Sequence, residues 1–101
     1  MNSEKISGLI GFAVRSRQAV FGADACRIMI RSGRCGLLII DGSAGTNTRK
    51  KAGEMCARSD VTVRTVPEGT ISGITGKTSM VMAVRQGSFA EALISELTEE
   101  T

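Results

Sequence analysis

Apolar residues recur at helical spacing from the start of the chain. Ile6, Leu9, Ile10, Ala13 and Val14 follow Ser3, a residue suited to cap a helix, and predict a first helix over 4–16. Residues 18–21 predict a short extended piece leading to Gly22. Behind it Ala25, Cys26, Met29 and Ile30 form a second helical stripe, which Gly33 ends by accepting left-handed backbone. Leu37, Leu38, Ile39 and Ile40 form an unbroken apolar run, the pattern of a strand covered on both faces. Residues 41–46 are glycine-rich turn material, with Thr46 or Asn47 as the expected cap of a third helix over 47–58 that buries Ala52, Met55 and Cys56. Residues 61–66 predict a strand stopped by Pro67, 68–74 a short helix between glycines, and 80–84 another buried strand. Phe89, Ala90, Leu93, Ile94 and Leu97 mark a last helix. Strands alternating with helices predict an α/β fold: a three-layer α/β/α sandwich with a mixed sheet of about four strands.

The length of 101 residues fits a single domain spanning 1–101. With 42% apolar and 23% charged residues, the composition is that of an ordinary globular chain. The three cysteines, Cys26, Cys35 and Cys56, show no C-x-x-C spacing, and the chain has no histidine. Zinc sites that need imidazole are therefore out of reach, as is a four-thiolate site from one chain, and no metal is expected. Small buried thiols in a reducing compartment account for the cysteines. Neither a signal region nor a membrane-length apolar run is visible, so a cytoplasmic protein is expected. Charge is unevenly distributed. Residues 1–51 hold nine Lys and Arg against three acids, and residues 52–101 hold four against seven. One face of a small fold with that polarity attracts polyanions.

The chemistry of a catalyst is missing. There is no histidine or tyrosine for proton transfer, and no spacing pairs two carboxylates. The most enzyme-like stretch is 42–48, Gly-Ser-Ala-Gly-Thr-Asn-Thr, set between a buried strand and a helix where α/β proteins bind phosphates. It lacks the Gly-Lys-Ser/Thr of a P-loop and the G-x-G-x-x-G of dinucleotide folds, so a nucleotide site and a plain strand-to-helix turn both remain open. No cofactor is expected.

Several features favour RNA. Gly22 and Ala23 have minimal side chains, so a ligand backbone can approach the free N–H groups that open the second helix. Arg15 and Arg17 lie just upstream and Arg27 one turn downstream, a set of planar cations suited to phosphates. Asp24 has two readings: an acceptor for the edge of an exposed guanine, or a first-turn acid that complements the helix dipole. Phe12, Phe21 and Phe89, the only aromatic residues, are expected in the core. Arg49, Lys50 and Lys51 crowd the start of the third helix against its dipole, which fits either a functional site or a solvated basic face.

In this order these residues resemble the L-seven-Ae / L-thirty-e superfamily of ribosomal proteins, binders of kink-turn RNA, and especially its short bacterial ribosomal-protein-like branch. The resemblance covers roughly 4–97 and rests on five pieces in register: 22–33, 37–40, the run Asn47-Thr48-Arg49-Lys50-Lys51, Gly76-Lys77, and Gly87-Ser88-Phe89-Ala90. It implies the same sandwich and a grip on a sharply bent internal loop. The residues implied are Gly22, Ala23, Asp24 and Arg27 at the second helix, with Thr75, Gly76, Lys77 and Thr78 before the last strand. Ile74 and Thr75 fall where the family's loop meets an extruded base. Where the family pattern is Gly-x-Asn-Glu, this chain has Gly22-Ala23-Asp24-Ala25, and a Lys on the following turn is Ile28. Asp24 keeps an acceptor but no amide donor, and each lost base contact costs roughly 1–3 kcal/mol of discrimination on the scale known for DNA.

The expectation is a non-catalytic, monomeric protein that binds structured RNA, ribosomal or another kink-turn RNA, with the ribosome as a candidate partner and no membrane. A protein-interaction module on the same fold and a nucleotide-binding module using 42–48 are the alternatives.

Overall fold

The computed structural model describes residues 3–97. Along the chain come α1 (Ser3–Arg15), β1 (Ala19–Phe21), α2 (Ala23–Arg31), β2 (Cys35–Asp41), α3 (Thr46–Ser59), β3 (Thr62–Val66), α4 (Thr70–Thr75), β4 (Val81–Arg85) and α5 (Ser88–Glu96). The strands form one mixed sheet in the order β1-β4-β2-β3. β4 runs antiparallel to both β1 and β2, while β2 and β3 are parallel through the α3 crossover. The expected three-layer α/β/α sandwich is the observed one.

Period-two alternation in the two central strands divides the core between the faces of the sheet. Leu37, Ile39, Met82 and Val84 face α1, α4 and α5, packing with Ile6, Ile10, Ala13, Ile71 and Leu93. Leu38, Ile40, Val81 and Ala83 face α2 and α3, packing with Cys26, Ile30, Ala52 and Cys56. Both faces are covered, which is why these strands read as continuous apolar runs.

Three expectations change. Ser3 lies inside α1 rather than before it. Gly45, not Thr46 or Asn47, holds the N-cap position of α3, and no side chain caps that end. Phe12 is not a core residue: it is 54% exposed, because it lies off the Ile6-Ile10-Ala13 stripe. Its ring stacks on Phe89 of α5 at 6.5 Å, and the Arg15 guanidinium covers it at 4.6 Å. Phe21 and Phe89 are half-buried against the core, as expected.

The three thiols are free, buried and gathered under α2 and α3. Burial, reinforced by the neighbouring Cys35 and Cys56 sulfurs, pushes Cys26 up to about 12. Burial beside Cys35 pushes Cys56 up to about 11, and burial raises Cys35 as well. Among the described residues no helix is long and apolar enough to cross a membrane.

Candidate nucleic-acid interface

The strand directions bring most of the expected site to one end of the sheet. β1, β2 and β3 all finish there, and β4 begins there. The backbone locks this end: Gly22 N–H donates to Val81 O at 3.2 Å, and Asp41 N–H donates to Met80 O at 2.8 Å. The starts of α2, α3 and α4 and the loop before β4 therefore share one rim.

Gly22 is the N-cap of α2 at φ 92°, ψ 155°, backbone that an L side chain rarely adopts. No side chain caps this helix, and its first internal bond is Cys26 N–H to Gly22 O at 3.0 Å. The amides of Ala23, Asp24 and Ala25 thus point outward, as helix geometry requires, with the positive end of the dipole behind them. Ala23 and Asp24 are exposed. The Arg27 guanidinium donates to Asp24 Oδ1 at 2.6 Å, which gives Asp24 a third role: it holds Arg27 beside the helix entrance. An exposed pair of this kind is worth at most about 1 kcal/mol, so a phosphate can displace the carboxylate readily.

The loop before β4 completes the rim. Thr75 donates its hydroxyl to Ile71 O at 2.7 Å and accepts the Lys77 N–H at 3.0 Å, which fixes the turn out of α4. Lys77 Nζ then lies 5.8 Å from the centre of the Phe21 ring, next to Gly22. Gly76, Lys77 and Thr78 are exposed, whereas Ile74 is half-buried against the core. Ile74 and Thr75 therefore support the loop from within α4, and the exposed surface is that of the three residues after them.

Arg15 and Arg17 are not brought to this rim. They precede β1, at the end of the sheet where Arg85 N–H donates to Gln18 O. Gly22 lies five positions beyond Arg17, and the three residues of β1 between them alone extend the chain by roughly 10 Å. Adjacency in sequence does not bring them together, because an extended strand lies between.

The first part of the 42–48 segment is a turn held by the protein's own side chains. Asp41, only 2% exposed, is the single buried charged residue among those described. Its carboxylate accepts the Ser43 N–H at 3.0 Å, the Ser43 hydroxyl, and the Gly69 N–H at 3.2 Å from across the rim. Burial works against its charge, but these bonds and the Ile71 backbone outweigh it and hold the carboxyl below the usual aspartate range. Gly42 is required here, since a Cβ would lie 2.8 Å from the Glu68 nitrogen. Arg49 folds back to donate to Ala44 O and Gly42 O, each at 3.0 Å. This cation near the start of α3 thus braces the turn, while Asp41 takes the Ser43 and Gly69 donors and leaves the first amides of α3 uncapped. Asp41 is not among the residues singled out by the sequence; its signal is an acid directly after a buried strand, followed by Gly-Ser, an Asx-turn pattern.

Between the open ends of α2 and α3 lies a cavity of about 210 Å³, with Ala23, Asn47, Thr48 and Lys51 at its rim and Cys26, Leu38 and Val81 among its apolar lining. The two uncapped helix ends and the small side chain of Ala23 leave this entrance open to an anionic chain.

These features define a class: a small α/β/α domain that offers open helix amides and basic loops along one end of its sheet. Over 91 residues the chain is 34% identical to the RNA-binding protein YlxQ of Bacillus subtilis (strain 168), a match spanning 88% of this chain and 91% of that one. A protein of unknown function from Bacillus halodurans C has a similar solved structure, with a TM-score of 0.86 at 26% identity over 92% of this chain and 96% of that one. No family model matches the chain. The chain belongs to the L-seven-Ae-like family, together with YlxQ.

Proposed function

We propose that this protein is a non-catalytic RNA-binding protein of the ribosomal-protein-like branch, acting as a single cytoplasmic domain on a kink-turn or similar bent internal loop of ribosomal or other structured RNA. The observation that carries the reading is the uncapped start of α2 at Gly22, set between Lys77 and Arg27. The name of its relative YlxQ supports RNA as the partner. Gly22 and Ala23 let the RNA backbone reach the free amides. Arg27 and Lys77 neutralise phosphates, and the carboxylate of Asp24, once Arg27 has moved to a phosphate, accepts from an exposed base edge. Arg15 and Arg17, at the far end of the sheet, meet only RNA long enough to pass along β1.

Titrating a kink-turn RNA against the protein at two salt concentrations tests this. Affinity should fall steeply with salt, because phosphate contacts release counterions. Binding that ignores salt, or that does not distinguish the kink-turn from a plain duplex, refutes bent-loop recognition.

A further inference from the structure

The cavity at the mouth of α2 does not end there. Lys51 and Met55 line both it and a second groove of about 270 Å³ that runs on between α2 and α3. Arg27 and Arg31 stand on the α2 bank, Lys51 and Arg58 on the α3 bank, and Glu54 is the only acid lining it. Arg31, Lys51 and Arg58 are exposed and make no hydrogen bond or ion pair among the described residues. Neither the Lys5–Glu96 pair at 3.0 Å nor the Arg27–Asp24 pair at 2.6 Å reaches them. Like charges facing each other across a groove repel, and Glu54, with Asp24 on Arg27, offsets the four cations only in part.

Arg27 and Arg31 are about one helical turn apart, and Lys51 and Arg58 about two, or roughly 10 Å. A line of cations of that length on two banks matches a repeating anion better than a single phosphate. It also begins at the rim where the RNA is proposed to bend. Resting on that reading, we infer that the α2–α3 groove is a second, sequence-independent track for the phosphodiester backbone of the RNA stem that leaves the bent loop. One RNA would thus be held at two places, by shape at Gly22 and by charge along the groove.

The test uses the full chain and three labelled probes: a kink-turn RNA with short stems, the same RNA with one stem lengthened by a helical turn, and a plain duplex. The wild type should bind the long-stem RNA more tightly than the short. The double variant R31Q/R58Q, which leaves Lys51 at the mouth of α2 in place, should lose that advantage and lower the log–log salt slope by about two, while binding the short-stem RNA within twofold of wild type. An unchanged melting temperature shows that it folds. E54Q, which removes the groove's acid, should tighten long-stem binding, a gain that misfolding cannot mimic. Equal wild-type affinity for short and long stems, or a double variant that keeps the wild-type slope, overturns the track. If the wild type binds the duplex as well as the kink-turn RNA, and the double variant loses both, the track stands and the bent-loop reading fails. No binding to any probe overturns both.

Discussion

Asp41→Asn is the substitution most informative about how the rim is held together. The buried carboxylate receives three donors: the Ser43 amide, the Ser43 hydroxyl and the Gly69 amide. It thereby ties the end of β2 to the turn before α4. Asparagine matches its size, but it removes the charge and turns one acceptor into a donor facing N–H groups. Hydrogen bonds to a charged group contribute about 1.5–3 kcal/mol and neutral ones about 0.5–1.5, so three weakened bonds cost about 3 kcal/mol. For a domain of this size that lowers Tm by roughly 12–24 °C. The pH dependence supplies a second readout. The folded pKa of Asp41 is depressed below its unfolded value, so its stabilisation is complete above the ordinary aspartate range and is lost as pH falls through the lower folded value. Denaturant unfolding of both proteins between pH 7 and about pH 2 measures this directly. Wild-type stability should decline below about pH 4 more steeply than that of the variant, and the gap between them should narrow. A loss under about 1 kcal/mol with parallel pH profiles would refute the view that this carboxylate fastens the rim.

Gly22→Ala places a Cβ in open space, so its penalty is backbone strain alone, about 1–3 kcal/mol, seen as a lower melting temperature with weaker RNA binding. Unchanged melting would mean that the left-handed geometry at the α2 entrance is not needed. Arg27→Glu should shift stability by no more than about 1 kcal/mol, since its one partner here is exposed, yet weaken RNA binding tenfold or more and lower the salt slope by about 1. Wild-type affinity in that variant removes Arg27 from the interface. With Cys26 pushed up to about 12 and Cys56 up to about 11, and all three thiols buried, alkylation at pH 8 should proceed only at the rate of unfolding. Labelling of the native protein within seconds would contradict that burial.

Much of this molecule is local, and local order is written in the chain. The stripe Ile6-Ile10-Ala13, the run Leu37–Ile40 and the pair Cys26-Ile30 declare helix or strand by period alone. Small residues at 22 and 23 mark where a backbone can approach an uncapped helix. The sandwich follows, because elements with one apolar face must cover a sheet that is apolar on both. Strand direction was beyond that reading. It takes long-range pairing to send β4 antiparallel between β1 and β2, and that pairing sets Lys77 beside Phe21 while leaving Arg15 and Arg17 at the far end. The same holds for Asp41, whose Gly69 donor lies 28 residues away, and for the cations that α2 and α3 set on facing banks. Periodicity reports which face of an element is buried; which charged ends become neighbours is decided only when the elements pack.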